Sequence, residues 1–192
     1  MTVDQLRRSP LDGLVVEAPE VRIAELPFGS AVNLRADPTA AAVAEVLGGP
    51  LPTEPNTVVE WRGRHVLWLG PNEWLVVGPD GDAPGLVARL RAALAGTRGS
   101  AVDVSANRTT VEVSGQRATD LLEKGCQLDL HPRAFRAGRC AQTMVAKAQV
   151  VLWQATDAPA VAYRLLVRGS FAGYLAAWLA DAAAEYAPQP AP

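Results

Sequence analysis

Lysine is nearly missing from this chain of 192 residues: only Lys124 and Lys147 occur, against abundant arginine, alanine and proline. Positive and negative side chains almost cancel, 18 against 20, for a net charge of −2. That balance argues against nucleic-acid binding, which needs a basic face to meet phosphates. Long apolar runs are also lacking. The longest, Leu175 to Ala184, is broken by Asp181 and falls short of the ~20 residues that span a bilayer. The first eight residues carry charge with no apolar run behind them, unlike a secretory signal. No membrane association and a cytoplasmic location are therefore expected. Cysteine is limited to Cys126 and Cys140. With no second pair they do not make a zinc site. Buried, reduced thiols are the expectation, with a single disulfide left open. A thiol just past a helix end, as at Lys124-Gly125-Cys126, faces the negative pole of the helix dipole, which disfavours a thiolate.

Histidine is equally scarce. His65 and His131 lie far apart and neither has a ligand-spaced acid or thiol beside it, so both read as ordinary strand or loop residues. Phosphate-cradling glycine loops and nucleophile elbows are absent from the sequence. Asp103, two residues before Ser105, reads as a turn acid rather than a catalytic one.

What the chain has in quantity is apolar residues, 49%, and five tryptophans, Trp61, Trp68, Trp74, Trp153 and Trp178. Alternation predicts strands at 21–26, 30–35, 58–61, 65–69, 74–77, 101–105, 109–113, 141–146, 149–154 and 162–167. Asp37-Pro38 is expected to open a helix that stops at Gly48-Gly49. Leu86, Val87, Leu90, Ala93 and Leu94 form one face of a helix at about 84–94. Ser114 is expected to cap a helix carrying Ala118, Leu121 and Leu122. Ser170 is expected to cap a last helix whose buried face is Phe171, Tyr174, Leu175, Trp178, Leu179 and Ala182. The sum is an α+β fold of two β-rich lobes, with antiparallel sheets covered by helices. The expected organisation is an N-terminal arm at 1–19, a first lobe at 20–99, a second lobe at 100–186 and a disordered tail at 187–192. Trp178 reads as core, whereas Trp68 and Trp74 are compatible with core or interface.

Several segments carry a family likeness. Ala101-Val-Asp-Val-Ser105, Val111-Glu-Val-Ser-Gly115 with Ala118 and Leu121-Leu122, and Ala137-Gly138-x-Cys140-x-Gln142-Thr143 resemble the folate-binding aminomethyltransferase fold. Ser9-Pro10-Leu11, Leu69-Gly70-Pro71-Asn72-Glu73-Trp74-Leu75, Lys124-Gly125-Cys126-x-Leu128-Asp129-Leu130, Cys140-Ala141-Gln142-Thr143 and Ser170-Phe171-Ala172-x-Tyr174-Leu175-x-x-Trp178-Leu179 resemble more closely the gamma subunits of heterotetrameric sarcosine oxidases. The likeness runs over most of residues 9–186.

That resemblance implies a complex that oxidises sarcosine with oxygen to glycine and hydrogen peroxide, passing the one-carbon unit to tetrahydrofolate. It implies alpha, beta and delta partner subunits, with FAD, FMN and NAD in the larger ones and zinc in the delta subunit. Catalytic aminomethyltransferases carry an acidic pair where this chain reads Ala148-Gln149-Val150-Val151-Leu152-Trp153. Without that carboxylate the chain lacks a proton-handling group for folate. A match to folate-dependent iron–sulfur repair proteins fails, because Lys124-Gly125-Cys126 continues as Gln127-Leu128-Asp129. The expectation is a chain with no catalytic, cofactor or metal residues of its own, contacting partners through Ser9, Pro10, Leu11, Trp74, Arg108 and Arg139. A stand-alone folate-binding or aminomethyl-transferring protein is the alternative.

Overall fold

The computed structural model describes residues 7–187. The expected loop character of residues 1–6 and disorder of 188–192 lie outside that range. Among the described residues, eleven strands and four α-helices form two compact units. One gathers 7–27, 108–137 and 142–187, and the other gathers 28–107 and 138–141. This is the expected α+β class with two antiparallel sheets. The division is not the expected sequential one at residue 100, because the N-terminal strands join the later part of the chain.

In the first unit, β1 (Val15–Ala18) and β2 (Val21–Glu25) pair as a hairpin, so part of the expected loop-like arm is a strand. On its other edge β2 pairs not with the next strand in sequence but with β8 (Arg108–Ser114), with Ile23 opposite Val113. β11 (Ala162–Arg168), β10 (Ala148–Thr156) and β9 (Cys140–Val145) complete a six-stranded sheet in the order β1-β2-β8-β11-β10-β9. Register places Ile23, Val111, Val113, Tyr163, Leu165, Val167, Val150 and Leu152 on one face, and all are buried. Helix α4 (Gly169–Ala183) packs over β2, β8, β10 and β11 and touches α3 (Ala118–Glu123). Leu121 and Leu122 of α3, and Leu175 and Leu179 of α4, are completely buried.

The expected serine caps are not made. Ser114 is the last residue of β8, and α3 starts at Ala118 with Arg117 before it. Ser170 lies inside α4, which begins one residue earlier. A β-bonded backbone at 114 and the direct run from β11 into α4 leave neither serine at the half-helical position that capping requires.

In the second unit, β3 (Ser30–Arg35), β4 (Val58–Trp61), β5 (Arg64–Gly70), β6 (Glu73–Gly78) and β7 (Ser100–Asp103) order as β4-β5-β6-β3-β7. Arg62 and Gly63 both have positive φ, 50° and 73°, and form the two-residue turn of the β4–β5 hairpin, the geometry that matches strand twist. Helices α1 (Ala41–Leu47) and α2 (Ala83–Ala93) cover one face. Leu86, Val87 and Leu90 enter a core with Val32, Leu34, Val43, Leu47, Val76 and Trp74.

Helix α1 starts three residues after Pro38. Asp37 uses its carboxylate on the N–H and hydroxyl of Thr39 instead of on the helix. The stop at Gly48 is as expected, with Gly48 left-handed at φ 98°.

Candidate partner-binding surface

The residues that could do chemistry are tied down. Cys126 and Cys140 are both free thiols and both buried. Removal from water pushes both thiols up, Cys140 to about 12. The Cys140 Sγ lies 3.5 Å from the carbonyls of Thr57 and Trp68. His131 uses its ring Nδ1 to accept the Arg133 N–H, and the Asp129 carboxylate accepts the His131 N–H. His65 stands 4.0 Å from Glu60. Asp103 accepts both the N–H and the hydroxyl of Ser105, the expected turn role. Among the described residues no cluster of His, Cys, Asp or Glu could hold a metal ion.

Strand β10, Ala148 to Thr156, contains no acid. Two strands away, Glu112 on β8 is held by Arg164 at 3.2 Å, and Arg164 also lies 4.8 Å from the Trp153 ring. On this face the Glu112 carboxylate is thus already paired with an arginine, and Glu17 of β1 stands opposite Arg22, 3.6 Å from its guanidinium.

The expected contact residues divide. Ser9 donates to Glu25 Oε1 and its Oγ accepts the Leu11 N–H at 3.0 Å. Glu25 also accepts the Thr109 hydroxyl at 2.7 Å and the Gly13 N–H at 3.1 Å. Its carboxylate thus pins the segment 9–13 to the sheet, leaving Pro10 exposed and Leu11 half-buried. Arg139 binds Glu54 at 2.7 Å and pairs its backbone with Thr57. It is half-buried and fastens the loop that precedes β4. Trp74 is a correction: it is fully buried in the second core and donates its indole N–H to the Pro52 carbonyl at 2.9 Å. It cannot reach a partner. Trp61 treats the same loop alike, donating to Pro50 at 3.0 Å. The prolines leave carbonyls without neighbouring N–H groups, and the indoles satisfy them.

Arg108 begins β8 and stands directly opposite Arg168, the last residue of β11. Both line a small depression with Gln142, Gln149, Val150 and Val151. Phe171 and Tyr174, expected on the buried face of the last helix, are 45% and 42% exposed. Their apolar character suggested core, but α4 turns Ala172, Leu175, Ala176 and Leu179 inward instead. Trp178 is half-buried, its ring set so close to Gly125 that a Cβ there would lie 2.5 Å from it. Another depression, lined by Glu45, Val46, Arg62, Arg64 and Arg89, carries its own counter-charges: Asp82 grips Arg64 through two bonds of 2.5 and 2.8 Å.

No helix among the described residues is long and apolar enough to cross a membrane. Residues 33–185 match the model of the sarcosine oxidase, gamma subunit family. The chain is 38% identical to a sarcosine oxidase subunit gamma of Corynebacterium sp. (strain P-1), over 96% of this chain and 94% of that one. It is 39% identical to the subunit of the same name from Arthrobacter sp., over 95% and 92%. Its fold matches a chain of the heterotetrameric sarcosine oxidase from Corynebacterium sp. U-96 in complex with pyrrole 2-carboxylate. That match has a TM-score of 0.86 and 34% identity, and covers 98% of this chain and all of that one. The glycine cleavage system aminomethyltransferase T from Bartonella henselae shares the fold, with a TM-score of 0.59 at 12% identity over 81% of this chain and 44% of that one. On its sequence and its fold, the chain belongs to the sarcosine oxidase gamma subunit family.

Proposed function

We propose that this chain works as the gamma subunit of a heterotetrameric sarcosine oxidase and carries no chemistry itself. The observation that carries the reading is end-to-end likeness to one chain of such an assembly, at 34% identity and a TM-score of 0.86. In this reading the assembled cytoplasmic enzyme serves sarcosine catabolism. It converts sarcosine, oxygen and tetrahydrofolate to glycine, methylene-tetrahydrofolate and hydrogen peroxide. FAD, FMN and NAD sit in the alpha and beta subunits and zinc in the delta subunit. The gamma chain supports assembly of the flavin- and folate-bearing subunits.

The state of its own reactive groups supports the non-catalytic part. Both thiols are buried and held protonated. The Glu112 carboxylate is bound to Arg164, and β10 has no acid. A general acid or base must reach its substrate with a proton to exchange, and these groups do not offer one. The test is the purified chain alone, titrated with tetrahydrofolate and assayed for peroxide from sarcosine. The expected result is a colourless protein with neither binding nor peroxide. Stoichiometric folate binding by the isolated chain would move the reading to a stand-alone folate-binding or aminomethyl-transferring protein.

A further inference from the structure

Helix α4 turns its leucines towards the sheet and leaves an aromatic stripe outside. Phe171, Tyr174 and Trp178 follow one another by three and four residues, and Asp181 extends the line by three more. That spacing places all four along one side of a helix. Phe171 and Tyr174 are exposed, and Trp178 is half-buried where its ring covers Gly125. The Lys147 N–H donates to the Tyr174 hydroxyl at 3.3 Å and holds the middle ring in place. Single exposed apolar residues need no explanation, whereas contiguous ones mark an interaction site.

The ends of the stripe carry opposite charge. Arg168 immediately precedes α4 and Asp181 stands near its C-terminus, both exposed, about 20 Å apart at the helical rise. Arg168 faces Arg108 across the ladder. The next acid on this side, Glu185, is taken by Lys124 at 2.6 Å. Among the described residues neither Arg168 nor Asp181 makes an ion pair. The helix thus offers an unpaired cation at one end, an unpaired anion at the other, and rings between them.

The complement of such a face is the same face reversed. An antiparallel second copy, related by a two-fold axis beside Tyr174, sets Arg168 of each chain against Asp181 of the other. The same axis sets Phe171 against Trp178 and brings the two Tyr174 rings together. A contact of this symmetry repeats itself, so one ion pair and one ring pair become two of each. We propose that α4 is a self-association face, through which this chain pairs with a second copy of itself. The two helices run antiparallel at the shallow crossing of about 20° that interdigitating ridges favour. One helix a side buries less than the roughly 1,200 Å² of a stable complex, so the pair is weak and forms at high chain concentration.

Sedimentation equilibrium of the isolated full chain tests this. Wild type is expected to pass from one chain to two between about 1 and 200 μM, the range of a small interface. Arg168→Asp and Asp181→Arg are each expected to associate about tenfold more weakly, since each turns both ion pairs into like-charge contacts. An equimolar mixture of these two variants is expected to regain the wild-type association, because one chain then carries acids at both positions and the other arginines at both. Phe171→Ser is expected to weaken association with no change of charge. An acid ahead of α4 and a cation near its end both suit the helix dipole, and Phe171 is exposed, so all three variants are expected to fold, which circular dichroism reads. A wild-type chain that stays single at the highest concentration overturns the self-association face and leaves the gamma-subunit reading standing. A dimer that the folded variants do not weaken places the contact elsewhere and overturns it too. A mixture that associates no more tightly than its two components does the same.

Discussion

Arg108 and Arg168 face each other across the β8–β11 ladder, one at the start of its strand and one at the end. A pair of like charges in register is a cost to the isolated chain, and removing one of them is expected to relieve it. Arg168→Gln is therefore predicted to leave the isolated chain as stable as wild type or up to about 0.5 kcal/mol more stable. Urea unfolding of the two proteins side by side checks this. A loss above about 1 kcal/mol would show that Arg168 holds the fold together.

Trp74 joins two duties: it fills the second core and ties down the proline loop through Pro52. Trp74→Ala is predicted to destabilise the chain by about 3–5 kcal/mol. Trp74→Phe keeps most of the volume but strands the Pro52 carbonyl, at about 1–3 kcal/mol. Denaturant midpoints order the three proteins. Equal midpoints for wild type and Trp74→Phe would show that the indole bond carries nothing.

The Arg64–Asp82 pair makes a pH prediction. Hydrogen bonding to Arg64 holds the Asp82 carboxyl below the ordinary aspartate value of 3.8. A lowered folded-state pKa contributes stability that is complete above the unfolded value and fades as pH falls through the folded one. Between pH 5 and pH 2, wild type should thus lose stability that Asp82→Asn does not have to lose. Thermal midpoints against pH for the two proteins test this. Parallel curves below about pH 4 would contradict it.

The thiols make the opposite prediction at high pH. Burial raises Cys140 from 9.0 to about 12, so the unfolded chain ionises first and stability falls as pH rises from about 9 towards 12. At pH 8 both cysteines should resist a disulfide reagent in the folded protein and react at once in urea, since the thiolate is the nucleophile. Rapid reaction of one thiol in the native protein would show that its burial is not maintained.

Glu25 collects Ser9, Gly13 and Thr109 around one carboxylate. Glu25→Ala is predicted to free the backbone of residues 9–13 from the sheet, with faster amide exchange there and a global cost of about 1–3 kcal/mol. Unchanged exchange at Leu11 and Gly13 would contradict the role given to Glu25.

Local structure was legible in the sequence where local chemistry decides it. The α2 face of Leu86, Val87 and Leu90 and the helix stop at Gly48 follow from spacing and backbone freedom. Strand partners were not legible. β2 is adjacent in sequence to β3, but it pairs with β8 more than eighty residues away, because alternation marks a strand without naming its neighbour. The same limit misplaced Trp74 and the aromatic pair of α4. An apolar residue reads alike whether it fills a core or waits for a partner, so Phe171 and Tyr174 were assigned to the wrong side of their helix. The arginine pair could have been suspected only once β8 and β11 were known to be neighbours. The absence of an acid in 148–153, by contrast, needs no structure to be seen.

The most direct test of the account is co-expression of a tagged chain with candidate alpha, beta and delta subunits, followed by capture and an absorbance spectrum. A yellow complex of several chains that produces peroxide from sarcosine is the predicted result. A colourless chain that emerges alone with those subunits present in the same cells would contradict it.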